Sequence, residues 1–77
     1  SEVNFSRADL SGANLKEAII NGANFTEAKL KATNFTNTIV CANFTHADLS
    51  EANLSEADLS EATLTHAILP NDYNVDN

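Results

Sequence analysis

The stretch ADLSEANLSEADLSEATLTHA, residues 47–67, says one five-residue word four times. Neither regular element repeats at five. On an α-helix each residue turns about 100°, so residues five apart lie roughly 140° from one another and form no stripe. On a strand, side chains alternate with a period of two, so an odd step sends successive Leu residues to opposite faces. The chain must therefore bend once per word. Ala52, Asn53 and Leu54 read apolar, polar, apolar, which is the alternation of a half-buried strand. Ser55 and Glu56 are left for the corner. Ala and Leu face inward; Asn, Ser and Glu face outward. A chain that turns the same way at every word closes into a coil, and stacked coils make an all-β solenoid.

The large apolar residues count the words in one turn. The word centres are Phe5, Leu10, Leu15, Ile20, Phe25, Leu30, Phe35, Val40, Phe44, Leu49, Leu54, Leu59, Leu64 and Leu69. Phe5, Phe25 and Phe44 are spaced by 20 and then 19 residues. Four words per turn place these rings in one column, with Leu64 next. The short interval has a visible origin: TIVC, residues 38–41, is a four-residue word that lacks one corner residue. This predicts a four-sided coil of about three and a half turns over residues 1–70, followed by a tail or cap at 71–77. The second inward position is Ala in eleven of fourteen words. A narrow interior leaves no room beside the centres, and overpacking typically costs about 1–3 kcal/mol. Val3, Thr33 and Thr38 are the exceptions, and the two Thr flank the short word.

At 77 residues the chain is one domain. A globular chain of this size buries a marginal core, whereas a solenoid accumulates stability by stacking. With two Gly and one Pro, the corners are expected to manage without special backbone angles. A single Cys, Cys41, excludes an internal disulfide and reads as an outward structural thiol. No apolar run reaches membrane-spanning length. There is no signal peptide and no initial Met, which fits a processed mature form or a trimmed segment. The net charge of −7 is uneven. Arg7, Asp9, Lys16 and Glu17 cancel within residues 3–22, while Asp48, Glu51, Glu56, Asp58 and Glu61 give −5 within 42–61. Direct binding to nucleic acid or an anionic membrane is disfavoured; solubility or a basic protein partner fits.

ADLSG (8–12), ANLKE (13–17), ANFTE (23–27), ANFTH (42–46) and the three words of 47–61 resemble the pentapeptide-repeat proteins, whose motif is A(D/N)LXX. The resemblance covers residues 3 to about 70. It implies a right-handed quadrilateral β-helix, in agreement with the coil counted above. Departures fall at 38–41 and in the closing words ATLTH and AILP, where Thr63 and Ile68 replace Asp or Asn. The family is abundant in cyanobacteria and plastid thylakoid lumens. One acidic, dimeric subset mimics DNA and binds type II topoisomerases. The chain is accordingly expected to be soluble, in the cytoplasm or, if processed, the thylakoid lumen.

Outward positions should form ladders about 4.8 Å apart. Asn4, Asn24 and Asn43 make one, and Asn14, Asn34 and Asn53 another; such amides can hydrogen-bond along the axis. Asp9, Lys29 and Asp48 alternate in sign, and Ile19 and Ile39 stack outside on the fourth wall. Arg7, Glu27, His46 and His66 share the first corner. Glu27, His46 and His66 are therefore the candidate metal ligands, although corner side chains splay into solvent and nothing orients them. A solvated ladder is the stronger reading, and no cofactor is implied. Ser50, Ser55 and Ser60 recur because the word recurs, no phosphate loop is present, and a filled interior leaves no ligand pocket. No enzyme is expected. The ends of the stack need capping. Tyr73 and Val75 are placed to fold over the last turn, and a bare N-terminal end would pair with a second copy or a partner. The expected function is a non-catalytic interaction module, with Asp48, Glu51, Glu56, Asp58, Glu61, Ile19 and Ile39 as contact candidates. A DNA-mimicking protein and a spacer within a longer repeat protein are the alternatives.

Overall fold

The computed structural model describes residues 3–71 and Tyr73. Within them the chain winds as a four-sided parallel β-helix. The outward residue of each word bridges its equivalent one turn on. The first wall stacks Asn4, Asn24, Asn43 and Thr63; the second stacks Asp9, Lys29, Asp48 and Ile68. The third stacks Asn14, Asn34 and Asn53, and the fourth Ile19, Ile39 and Asp58. Residues 3–22, 23–41 and 42–61 are thus successive coils, and 62–71 begin another. Backbone bonds join coil to coil along each wall. Asn24 N–H donates to Val3 O (2.8 Å), and Phe5 N–H donates to Asn24 O (2.7 Å). The corners join the ladder too: Glu27 N–H donates to Thr45 O (2.9 Å) and His46 N–H to Thr65 O (3.0 Å).

The longest strands meet at the irregular word. Strand β1 (Ile19–Asn24) and strand β2 (Ile39–Asn43) run parallel from the fourth wall into the first. Asn21 pairs with Cys41, Ala23 pairs with Ala42, and Gly22 has no partner in the register. The residue missing from 38–41 is the equivalent of Gly22, as its length implied.

The Phe column forms as the spacing predicts. Phe5 stacks on Phe25 at 5.3 Å and Phe25 on Phe44 at 5.0 Å, with rings 12° and 6° from parallel. Phe35 meets Phe44 edge-on at 6.1 Å. Phe25, Leu30, Phe35, Val40, Phe44 and Leu49 are all buried. Leu59 is buried, while Leu10, Leu15, Ile20, Leu54, Leu64 and Leu69 are half-buried and Phe5 is exposed. Thr33 and Thr38 take Ala-type inward positions without orphaning a hydroxyl. Thr33 Oγ1 donates to Leu10 O (2.9 Å), and Thr38 Oγ1 donates to Phe35 O (2.7 Å).

Two expectations are corrected. The corners do rely on a special backbone angle. In words with two corner residues, the centre C=O accepts from the N–H three residues on, as in Ala8 to Phe5 (3.0 Å) and Ala52 to Leu49 (3.0 Å). Except at Glu61, the second corner residue then lies in the left-handed region: nine non-glycine residues have φ between 56° and 66°, and Gly12 and Gly22 have 74° and 81°. This is the type II turn, which turns the chain sharply in two residues but puts a positive φ at its second. Arg7, Glu17, Glu27, Ala32, Asn37, His46, Glu51, Glu56 and His66 accept this angle without being glycine. The second correction concerns the Asn ladders. Their amides do not bond along the axis among the described residues. Each Oδ1 instead accepts the N–H two residues on in its own word, as Asn24 does from Thr26 (2.9 Å) and Asn53 from Ser55 (3.0 Å). Asp9, Asp48 and Asp58 do the same with Ser11, Ser50 and Ser60. The local bond forms because a short Asx side chain reaches its own turn before it reaches a neighbour.

Candidate docking surface

The fourth wall presents the most distinctive exposed side chains. Ile19 and Ile39 are Cα partners in adjacent coils and are 78% and 54% exposed. Asp58 continues the same column below Ile39. The column therefore runs apolar, apolar, acidic. Ile positions lack the Asx acceptor that most words use at this place, so the residue is free of the corner and selected by strand propensity or by contact. Cys41 is a free, exposed thiol near the corner that follows Ile39.

The acidic candidates do not converge. Asp58 is on the fourth wall and Asp48 on the opposite, second wall, between Lys29 and Ile68. Glu51, Glu56 and Glu61 stand at three corners of the same coil and are exposed. The carboxylates form a ring around the coil of 42–61 rather than a patch. The carboxylates of Asp9, Asp48 and Asp58 are held below the ordinary range. For Asp48 and Asp58 the Ser50 and Ser60 side chains are the main cause, followed by their backbone N–H groups; for Asp9 the backbone N–H of Ser11 leads.

Glu27, His46 and His66 occupy consecutive second-corner positions and are exposed. The His46 and His66 rings stack with centroids 5.1 Å apart and planes 16° from parallel. Stacked imidazoles direct their nitrogens sideways rather than toward a point between them. Among the described residues no group of three His, Cys, Asp or Glu side chains is placed to hold a metal ion.

The interior is filled in the middle coil, and among the described residues two cavities flank it, where a filled lumen predicted none. An apolar bowl of about 390 Å³ lies at the N-terminal end, between Val3, Phe5, Leu10, Leu15 and Ile20. A more polar cleft of about 570 Å³ lies where the last partial coil stops, beside Ser50, Asn53, Ile68 and Pro70. Tyr73 is half-buried and packs toward Leu54, as a cap on the third wall would. Val75 lies outside the described residues.

Square stacking of parallel five-residue walls, a lumen filled by Ala and one large residue, and corners at positive φ define a quadrilateral β-solenoid. The sequence model for pentapeptide repeats matches residues 1–38 and 40–71 in eight copies, and the chain belongs to that family. The break between the matches falls inside the four-residue word. Two solved structures carry the same architecture. HetL, a pentapeptide-repeat protein involved in heterocyst differentiation regulation from the cyanobacterium Nostoc sp. strain PCC 7120, superposes with a TM-score of 0.82 at 26% identity over 94% of this chain. Rfr23, a pentapeptide-repeat protein from the cyanobacterium Cyanothece 51142, superposes with a TM-score of 0.77 at 28% identity over 88%. The chain spans 33% of the first and 46% of the second. No curated protein matches the sequence. The fold is the right-handed quadrilateral β-helix of this family. Among the described residues no helix is long and apolar enough to cross a membrane.

Proposed function

We propose that this chain is a non-catalytic docking element whose fourth wall binds a partner protein. The observation that carries the reading is the column Ile19, Ile39, Asp58, in which two strongly exposed isoleucines precede a carboxylate at strand spacing. Exposed β-branched residues in register give a partner an apolar strip to desolvate, and the buried cores of interfaces are more apolar than their rims. Asp58, with Glu61 at the following corner, supplies an acidic rim that suits a basic group on the partner. The chain's net charge of −7 disfavours direct contact with nucleic acid. Backbone rigidity supports the role, since each wall is tied to its neighbours by backbone bonds and ordering costs on binding stay small.

The test begins with a photo-cross-linking residue at Ile39 in the native host, followed by identification of the captured protein. Affinity for the purified partner is then measured with wild type and with the double variant Ile19→Asp/Ile39→Asp. A weakening of about a hundredfold is expected for loss of two central apolar contacts. Unchanged affinity removes the fourth wall from the interface. Inhibition of gyrase supercoiling by the wild-type chain would favour a DNA mimic instead.

A further inference from the structure

We propose that Asn21 is a site of spontaneous deamidation, at which the side-chain amide leaves as ammonia and an aspartate or isoaspartate takes its place. The inference is separate from the fourth-wall reading. It starts from a dipeptide: Asn21–Gly22 is the single Asn-Gly pair in the sequence. Asn is a thermolabile residue, because its amide carbon is open to attack by the backbone nitrogen of the residue that follows. A following Gly has no Cβ to shield that nitrogen.

The structure separates Asn21 from the other asparagines of the walls. Asn4, Asn14, Asn24, Asn34, Asn43 and Asn53 each hold Oδ1 in a turn bond from the N–H two residues on. A Phe or Leu follows each of them, and its N–H is commonly engaged as well, as Phe25 N–H is with Asn43 O (2.7 Å). Asn37 is followed by Thr38, which is buried and β-branched and donates its N–H to Phe35 O (3.2 Å). Asn21 is exposed, and among the described residues its side chain makes no turn bond of this kind.

The corner itself supplies the motion that the reaction needs. Elsewhere in the first two coils the second corner residue is tied to the coil below: Gly12 N–H donates to Lys31 O (2.9 Å), Glu17 N–H to Thr36 O (2.8 Å) and Ala32 N–H to Ser50 O (3.0 Å). Gly22 has no Cα partner in the register, because the four-residue word 38–41 has no residue to stand beneath it. Gly22 lies at φ 81°. In a tight turn of this kind the residue before the positive φ is extended, with ψ of about 120°, and an extended Asn21 turns the Gly22 nitrogen away from its own Cγ. The corner must open before the ring can close, and opening is easiest where the rung below is incomplete.

The chemistry balances with water alone. Base removes the Gly22 N–H proton. The nitrogen attacks Cγ of Asn21, the bond from Cγ to the side-chain nitrogen breaks, and ammonia leaves with a proton from solvent. A succinimide ring remains. Water then adds to one of its two carbonyls. Cleavage at Cγ leaves aspartate. Cleavage at the backbone carbonyl leaves isoaspartate, whose main chain runs through Cβ and is one atom longer. One water is consumed, one ammonia is released and nothing is oxidised. The product carries a new carboxylate on the outward face of β1, opposite Cys41 and on the same side as Ile19. The isoaspartate form adds its atom to the corner that already exceeds its neighbour by one residue.

Incubation of the folded chain at about pH 8 and about 37 °C, followed by peptide mapping, tests the site. A mass gain of about 1 Da should appear at Asn21 at least about tenfold faster than at the turn-bonded asparagines or Asn37, with isoaspartate detected by enzymatic methylation of its carboxylate. No gain at Asn21, or equal gain at Asn24 and Asn37, overturns the proposal. Gly22→Ala tests the chemistry. Ala32 shows that a corner of this fold accepts Ala at positive φ, and the rate should fall at least about tenfold. An unchanged rate overturns attack by the nitrogen of residue 22. Insertion of one Ser after Cys41 tests the register. It restores a five-residue word, gives Gly22 a partner and should slow the reaction about fivefold. An unchanged rate in a variant with a wild-type circular-dichroism spectrum overturns the link to the missing residue. Amide exchange in the unaltered chain answers the same question without a variant. The Gly22 amide should be protected at least about fivefold less than the Gly12 amide of the same coil, and equal protection overturns the claim that this corner opens more easily.

Discussion

The coils of residues 3–22 and 23–41 are written in the same words and live in different surroundings. Each has four large inward residues and three outward polar residues with an Ile on the fourth wall, and they differ in length only by the one corner residue missing from 38–41. In the second coil Phe25, Leu30, Phe35 and Val40 are at most 1% exposed; in the first, Phe5 is 36% exposed and the other three centres are half-buried. The word supplies the apolar residue, but burial is supplied by the coils above and below. Stability in such a stack is a property of interfaces between coils rather than of any one turn. Position in the stack should therefore set the effect of a substitution more than residue type does.

The largest effect tests that claim with one residue type. Phe44 is buried, stacks on Phe25 at 5.0 Å and meets Phe35 edge-on. Phe44→Ala should lose about 3–5 kcal/mol, the range for a buried aromatic replaced by a cavity. Phe5 has a single ring partner and an open face, and Phe5→Ala should lose about 1 kcal/mol. Urea unfolding followed by circular dichroism measures both. Equal losses would mean that the coils are equivalent and that the comparison fails.

A buried hydroxyl joins the two coils. Thr33 Oγ1 donates to Leu10 O at 2.9 Å from an inward, fully buried position. Thr33→Val keeps the shape and removes the bond, for a loss of about 1 kcal/mol. The loss should be felt first above residue 33. Exchange of the Leu10 and Leu15 amides, which donate to Lys29 O and Asn34 O, should speed up about fivefold while the Leu49 amide changes little. Uniform acceleration throughout would instead show that all coils open together.

How much of this was legible in the words depends on which atoms a feature uses. The four-sided coil follows from side-chain spacing alone, because Phe5, Phe25 and Phe44 can share a column only at four words per turn. The missing corner residue at 38–41 could be counted, and Gly22 is unpaired for that reason. The corner conformation was misread because glycine was taken as the marker of positive φ. The better signal was geometric: two residues that must turn the chain sharply between strand pieces leave little but a tight turn. The role of Asn and Asp was legible in principle from their place two residues before the first turn N–H, where Asx bonds form. On the candidate surface, the pairing of Ile19 with Ile39 could be read from spacing. The acidic residues looked like a cluster only because −5 in twenty residues is dense along the chain; wrapped around four walls, the same charges point in different directions.

The corner strain gives a gain rather than a loss. Ala32 sits at φ 61° with a Cβ that crowds the backbone and no polar group to compensate. Ala32→Gly should stabilise by about 0.5–1 kcal/mol, the strain relieved less the added freedom of the unfolded chain. Asn37, at φ 59°, belongs to a residue type that tolerates this region. Asn37→Gly should therefore change stability less than Ala32→Gly does. A loss in both variants, measured as urea midpoints, would indicate that the left-handed corners are not strained.

The smallest expected effect concerns the turn carboxylates and appears only on acidification. Ser11, Ser50 and Ser60 donate to Asp9, Asp48 and Asp58, and these bonds favour the charged carboxylates and lower their pKa values. A carboxyl group whose folded pKa lies below its unfolded value of about 3.9 binds its proton more readily in the unfolded chain. Its contribution is complete above that value and is lost as pH falls through the lower folded one. Stability should therefore decline below about pH 4. Asn already holds this position in six words and accepts the same bond without a titratable proton. The triple variant Asp9→Asn/Asp48→Asn/Asp58→Asn should match the wild type near neutrality and lose less of its urea midpoint on acidification. Since all three carboxylates are largely in solvent, the difference is small and should survive added salt, because its main cause is a short hydrogen bond rather than a distant charge. If the variant falls as steeply as the wild type, these turn bonds do not distinguish charged from neutral acceptors.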